Sequence, residues 1–155
     1  MDPSQETKDH IERVRDLIAA TIADLRKRSL EHDASKLIEP EKSVFDTMSQ
    51  TLKGMTYGSD EYRAKLREMK PAIDHHYAAN RHHPEHWTRG LYDMSLLDIL
   101  EMLCDWKAAT ERMKDGGDLK SSILINRERF EMDELLTCIL MNTAKEMGWL
   151  KHEKP

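Results

Sequence analysis

Cysteine is nearly missing from this chain of 155 residues, and Cys104 with Cys138 provide neither a disulfide framework nor a thiolate-rich zinc site. Glycine and proline are sparse, at 6 and 5 residues, which excludes collagen-like and low-complexity structure. Aromatics make up only 6%. There is no excess of positive charge: 24 Lys and Arg stand against 29 Asp and Glu, a net charge of −5. A long nucleic acid or an anionic membrane surface is therefore not an expected partner. No run of about 18 apolar residues occurs, and the opening MDPSQETKDHIERVRD has no signal-like apolar stretch. With few thiols and no span, the expected compartment is the reducing cytoplasm.

What is present favours helix. Hydrophobic residues reach 39%, charged residues 34%, and ten are Met. Straight-chain side chains lose little rotamer freedom in a helix, and a chain of this length fits one core. Ile11, Val14, Leu17, Ile18, Ile22 and Leu25 recur at steps of three and four, which predicts a long amphipathic helix over about residues 5–28, with His10 on its inner side. A break near Ser29, a helical turn over His32 to Leu37 and a helix from Pro40 to Lys53 follow. GMTYGSDEY reads as a loop, with Ser59 or Asp60 capping a helix that continues past a kink at Pro71 and is ended by Pro84. A helix over 95–114 turns Leu96, Ile99, Leu100, Leu103 and Trp106 inward, and DGGD ends it. The last, over about 131–147, buries Met132, Leu135, Leu136, Ile139 and Met147. The expectation is an all-α bundle of five to seven helices, one domain over residues 1–150, and a frayed tail at 151–155.

Chemistry concentrates in histidine. Five of eight fall in DHHYAANRHHPEHW, at positions 75, 76, 82, 83 and 86. On a continuous helix His76, Asn80 and His83 share one face, while His75 and His82 share the next. Imidazoles with carboxylates and no nearby thiolate suit Fe, Mn, Co or Zn. The plainer reading is a polar helix end whose histidines cap carbonyls. In EHDASKL, His32 and Asp33 point about 100° apart if helical, and Lys36 lies one turn on, within reach of a phosphate oxygen. In EMLCDWKAA, Asp105 needs a partner if buried, and a metal is one; otherwise Asp98, Glu101 and Asp105 form a solvated face.

The order His10, His32-Asp33, histidine cluster, Asp105 resembles the H…HD…D pattern of the HD-domain metal-dependent phosphohydrolase superfamily. The segments HYAANRHHPEHW, LLDILEMLCDWKAATER and INRERF resemble, over nearly the whole chain, an uncharacterised bacterial and phage family sharing H-x3-N-x-HHP-x2-W and EMLCDWKAA-like segments. The superfamily resemblance implies an HD-like helical domain. It implies one metal on His10, His32, Asp33 and Asp105 and a second on His76, His82 or His83, with Asp33 bridging. Asp98 competes with Asp105 for the last position.

The implied reaction is hydrolysis of a small phosphorylated substrate, a nucleotide foremost, by a metal-activated water, with one or two divalent transition metals per chain. Asp33 and Lys36 are the expected catalytic residues. Lys36, Arg13, Arg81, Asn80 and Trp87 are expected at the substrate, with Trp87 and Tyr77 able to stack a base. Two other functions fit the same residues: a diiron oxygenase, and a non-catalytic protein that captures a nucleotide or a protein partner. Self-association is left open by the sequence.

Overall fold

A computed structural model describes residues 3–51, 60–112 and 117–150. Among them are six α-helices and no strand: α1 (Pro3–Glu31), α2 (Glu41–Thr51), α3 (Asp60–Ala79), α4 (Leu96–Glu111), α5 (Leu119–Arg129) and α6 (Glu134–Glu146). Short 3₁₀ turns occupy Ala34–Leu37, Pro84–His86 and Gly90–Asp93. The all-α class and the helix number match the expectation. No described helix is long and apolar enough to cross a membrane. Residues 54–59 of the expected loop, the Ser59 cap, Asp115 and Gly116 of DGGD and the tail at 151–155 lie outside the described residues.

The chain divides into two compact units, one ending at Ala34 and the other beginning at Ser35. The first is essentially α1. Its apolar stripe, expected to face a core, is exposed: Ile11 is 51% accessible and Ile22 60%. Periodicity marks which face of a helix is apolar, but burial requires a second element, and the described residues of this unit contain none.

The core of the second unit is Leu103 of α4, Leu119 and Ile123 of α5, Met132, and Leu140 and Ala144 of α6. Ile99, Trp106, Leu136 and Trp149 pack around it. Helix ends are fixed by side chains that take up orphan amides. Ser95 and Asp98 form a reciprocal capping box on α4, Asp118 caps α5, and Asp133 caps α6. The buried face of α6 is Thr137, Leu140 and Ala144, while Leu135, Ile139 and Met147 are exposed. The expected face is thus rotated by about one residue, because small Thr and Ala permit close helix approach and the larger side chains are left outside. Leu96 likewise lies exposed at the start of α4. α3 runs unbroken through Pro71, which sits on its exposed side, where the carbonyl deprived of an N–H partner can be hydrated.

Candidate metal centre

The centre is built where α3 ends. Ala79 closes the helix, the Asn80 N–H bonds the His76 carbonyl at 3.0 Å, and Pro84 opens a 3₁₀ turn. The proline ring disfavours α geometry in the residue before it, so His83 is extended at φ −92°, ψ 128°. The chain reverses instead of continuing as helix. This reversal, and not the helical register the sequence suggests, brings His83 back to His76. Their Nε2 atoms lie 2.9 Å apart, and the His82 and His83 ring centroids are 4.2 Å apart. His76 and His82 are buried and His83 is half-buried.

Behind His76 stands Glu41, the first residue of α2 and fully buried. One carboxylate oxygen accepts from His75 Nδ1 at 2.7 Å. The other accepts from His76 Nδ1 at 2.9 Å and from Ser35 Oγ at 2.9 Å. Asn80 uses its amide to donate to Ser35 Oγ and to the His76 carbonyl, each at 2.8 Å. Burial pushes the Glu41 carboxyl up, but the hydrogen bonds from His75, Ser35 and His76 and the attraction of His76 outweigh it and hold it below its ordinary range. Glu41 is an anion that accepts from His75, His76 and Ser35.

The opposite wall is α4. Asp98, Glu101 and Asp105, which also read as a solvated face, point inward. Asp98 is fully buried, closes the Ser95 capping box and takes Arg81 Nε and Nη2 at 3.2 and 3.3 Å. These contacts give it a structural task distinct from the metal-ligand position for which it competes in sequence. Glu101 Oε1 lies 3.3 Å from His82 Nδ1. His82, His83 and Asp105 each offer a ligand atom within 4.8 Å of the others.

The remaining expected residues are distributed as follows. His32 and Asp33 lie just past α1, and Asp33 has φ 54°, a left-handed conformation that a short polar side chain tolerates. The pair therefore does not diverge as on a helix: His32 Nε2 and Asp33 Oδ2 are 3.7 Å apart. Lys36 sits in the 3₁₀ turn with Nζ 5.3 Å from the Phe45 ring centroid. His10 and Arg13 are exposed on α1. A continuous helix from His10 to Glu31 spans roughly 30 Å at 1.5 Å per residue, so His10 cannot share an ion with His32 and Asp33. The expected His10 ligand is corrected on that ground, as is its expected inward orientation. Asn80 is buried and turned toward Ser35 and His76. Arg81 covers one face of Trp87 at 4.7 Å, and Trp87 Nε1 donates to the Arg81 carbonyl at 2.9 Å.

The donor set fits a divalent transition metal. Two imidazole nitrogens each about 2.0–2.1 Å from one ion, at angles between right and tetrahedral, stand roughly 2.9–3.4 Å apart. The His76–His83 pair meets that spacing at 2.9 Å, and Asp105 adds a carboxylate beside His82 and His83. The residues that sequence reading missed are Glu41, Ser35 and Glu101. In EPEK, Glu41 looks like an ordinary acid in a first helical turn, and only its burial marks it out.

No curated protein and no solved structure matches the sequence. A family of unknown function, DUF5662, matches residues 2–146, nearly the full length, in keeping with the motifs that run from the histidine cluster through α4. The chain belongs to that family.

Proposed function

We infer that the chain is a metal-dependent phosphohydrolase of HD type that acts on a small phosphorylated molecule, a nucleotide foremost. The carrying observation is the convergence of His76 and His83 Nε2 at 2.9 Å beside His82 and Asp105. His76, His83, His82 and Asp105 are the ligands this reading assigns within the second unit. His32 and Asp33 are the ligands that the sequence pattern assigns within the first unit, where they pair at 3.7 Å. A divalent metal, when bound, supplies Lewis acidity toward a phosphoryl oxygen and makes water a stronger acid.

The protein's own groups do the rest. Glu41 and Asn80 hold the His76 ring in place, so its orientation is set before substrate arrives. Lys36 carries the cation assigned to the substrate phosphate, where a fixed positive charge favours the charge that grows on the phosphoryl oxygens. Arg81 is engaged by Asp98 but is half-exposed on its outer edge, so it and the Trp87 ring form a surface suited to a base or sugar. Arg13, exposed on α1, is the weakest of the expected phosphate contacts.

Elemental analysis of gently purified protein, with a phosphate-release screen over nucleoside mono- and triphosphates, tests this reading. Stoichiometric transition metal with phosphate release is expected. Metal without release favours the diiron oxygenase. No metal after supplementation removes both enzymes and leaves a binding protein in which the two rings share an N–H···N hydrogen bond.

A further inference from the structure

We propose that the apolar stripe of α1 is the seat of a second copy of this chain, with the two α1 helices pairing antiparallel about a two-fold axis at Ile18. The pairing is independent of the metal centre.

Ile11, Val14, Leu17, Ile18 and Ile22 are all exposed on this one helix. Single aliphatics on a surface are normal, but a continuous row of them marks a contact surface. At about 100° per residue, Ile11, Val14, Ile18, Ile22 and Leu25 fall within roughly 80° of arc and cover about 21 Å of axis. Ile11 and Ile22 are eleven positions apart, as are Val14 and Leu25. Such a repeat, of about 3.67 residues per turn, stays near the helix's own value of about 3.6 and keeps the row almost straight.

The row reads the same in both directions from Ile18. Val14 and Ile22 lie four positions to either side of it, and Ile11 and Leu25 lie seven. Two copies placed antiparallel, with Ile18 against Ile18, therefore match every apolar layer at once. Ile11 meets Leu25 of the second copy, Val14 meets its Ile22, and each contact occurs twice. That is the self-complementarity of an isologous two-fold interface.

Charge selects the direction. The first turn of α1 is acidic at Glu6 and the last is basic at Arg28. A parallel pair sets like ends side by side, whereas an antiparallel pair sets acid against base and opposes the two helix dipoles. On one flank of the stripe Glu12 and Arg26 are both exposed, six and eight positions from Ile18. In the antiparallel pair Glu12 and Arg26 of the second copy differ by roughly 3 Å along the axis, and in a parallel pair by about 21 Å. Glu6 and Arg28 have the same relation on the other flank, where Arg28 also holds Asp24 of its own helix at 2.7 Å. A membrane surface is a poorer fit, because α1 carries six basic and six acidic residues and no aromatic one.

A single helix face is at the small end of the size range for protein interfaces, so the pair forms in the micromolar range and more dilute chains are separate, with Ile18 bare. Sedimentation velocity of the full-length chain, from sub-micromolar to several hundred micromolar, tests the pairing. Wild type should pass from monomer to dimer. Ile18→Glu sets two carboxylates face to face in the apolar centre and should stay monomeric, a loss of affinity on the order of 100-fold or more. Its circular dichroism should match wild type, because Ile18 is exposed in the separate chain. Glu12→Arg turns two symmetric attractions into repulsions and should weaken the dimer on the order of 10-fold. Adding Arg26→Glu should restore it.

A wild type that is monomeric at every concentration overturns the proposal and leaves the stripe to another segment of the chain or a different partner. A dimer that survives Ile18→Glu overturns it by placing the contact elsewhere. Glu12→Arg without effect, or a double variant as weak as the single one, overturns the antiparallel direction. If Ile18→Glu loses helix, Glu12→Arg and its compensated form still decide.

Discussion

Nε2 of His76 and Nε2 of His83 face one another at 2.9 Å, although seven positions separate them and the helix that carries the first ends before the second. The contact depends on the reversal at Asn80 to Pro84. If these nitrogens hold the metal, His76→Ala and His83→Ala should each reduce bound metal from stoichiometric to trace. His86→Ala should not, because among the described residues His86 is in none of the groups of histidines and acids whose ligand atoms converge. Metal content by mass spectrometry, with far-ultraviolet circular dichroism to confirm the helices, reads the difference.

Asp33 and Lys36 should separate into two roles. Asp33→Ala is expected to lower metal content and phosphate release together. Lys36→Ala is expected to keep the metal and lower turnover by roughly 10²-fold, the scale of a lost charge contact to the transition state. Full metal and full turnover in Asp33→Ala would remove the HD dipeptide from the metal reading, leaving His76, His82, His83 and Asp105 to be tested without it.

The exposed stripe of α1 and the core of the second unit make opposite stability predictions from similar side chains. Ile18 is 56% accessible and Ile123 is fully buried. Ile18→Ala should change unfolding free energy by no more than about 0.5 kcal/mol, the usual range for surface positions. Ile123→Ala should cost roughly 2–5 kcal/mol, through lost transfer energy and an unfilled cavity. Urea unfolding of the two variants tests both. A large loss in Ile18→Ala would mean that the stripe is covered in solution.

Asp93 supplies an acid limb of known sign. Side-chain hydrogen bonds from Arg89, then its backbone N–H, and its positive charge hold the Asp93 carboxyl below its ordinary value of 3.8. The unfolded chain therefore takes up the proton more readily than the folded one. The stability from this pair is fully present above the ordinary value and is lost as pH falls through the folded one. The urea midpoint of Asp93→Asn should accordingly fall less than that of wild type between pH 5 and pH 3. The pair is exposed at Arg89, so salt should shrink the difference. Parallel acid limbs in the two proteins would show that Asp93 contributes nothing there.

The helical class was legible because it depends on composition and on a period of three to four, both properties of the chain itself. The histidine cluster, the stop before Pro84 and the helix opening at Ser95 were legible for the same local reason: proline geometry and side-chain capping act over a few residues.

Tertiary structure decided everything that requires a partner from elsewhere in the chain. Whether the α1 stripe is covered, which side of α6 faces the core, and whether the acids of α4 meet water or histidine are all set by neighbouring elements. A repeating pattern names a face but not its neighbour. The left-handed backbone of Asp33 changed a diverging pair into a converging one, which helical spacing cannot anticipate. Glu41 is the sharpest case. A carboxylate at a helix start is ordinary in sequence, and its function comes from lying fully buried within hydrogen-bond reach of His75 and His76, which are more than thirty positions away along the chain.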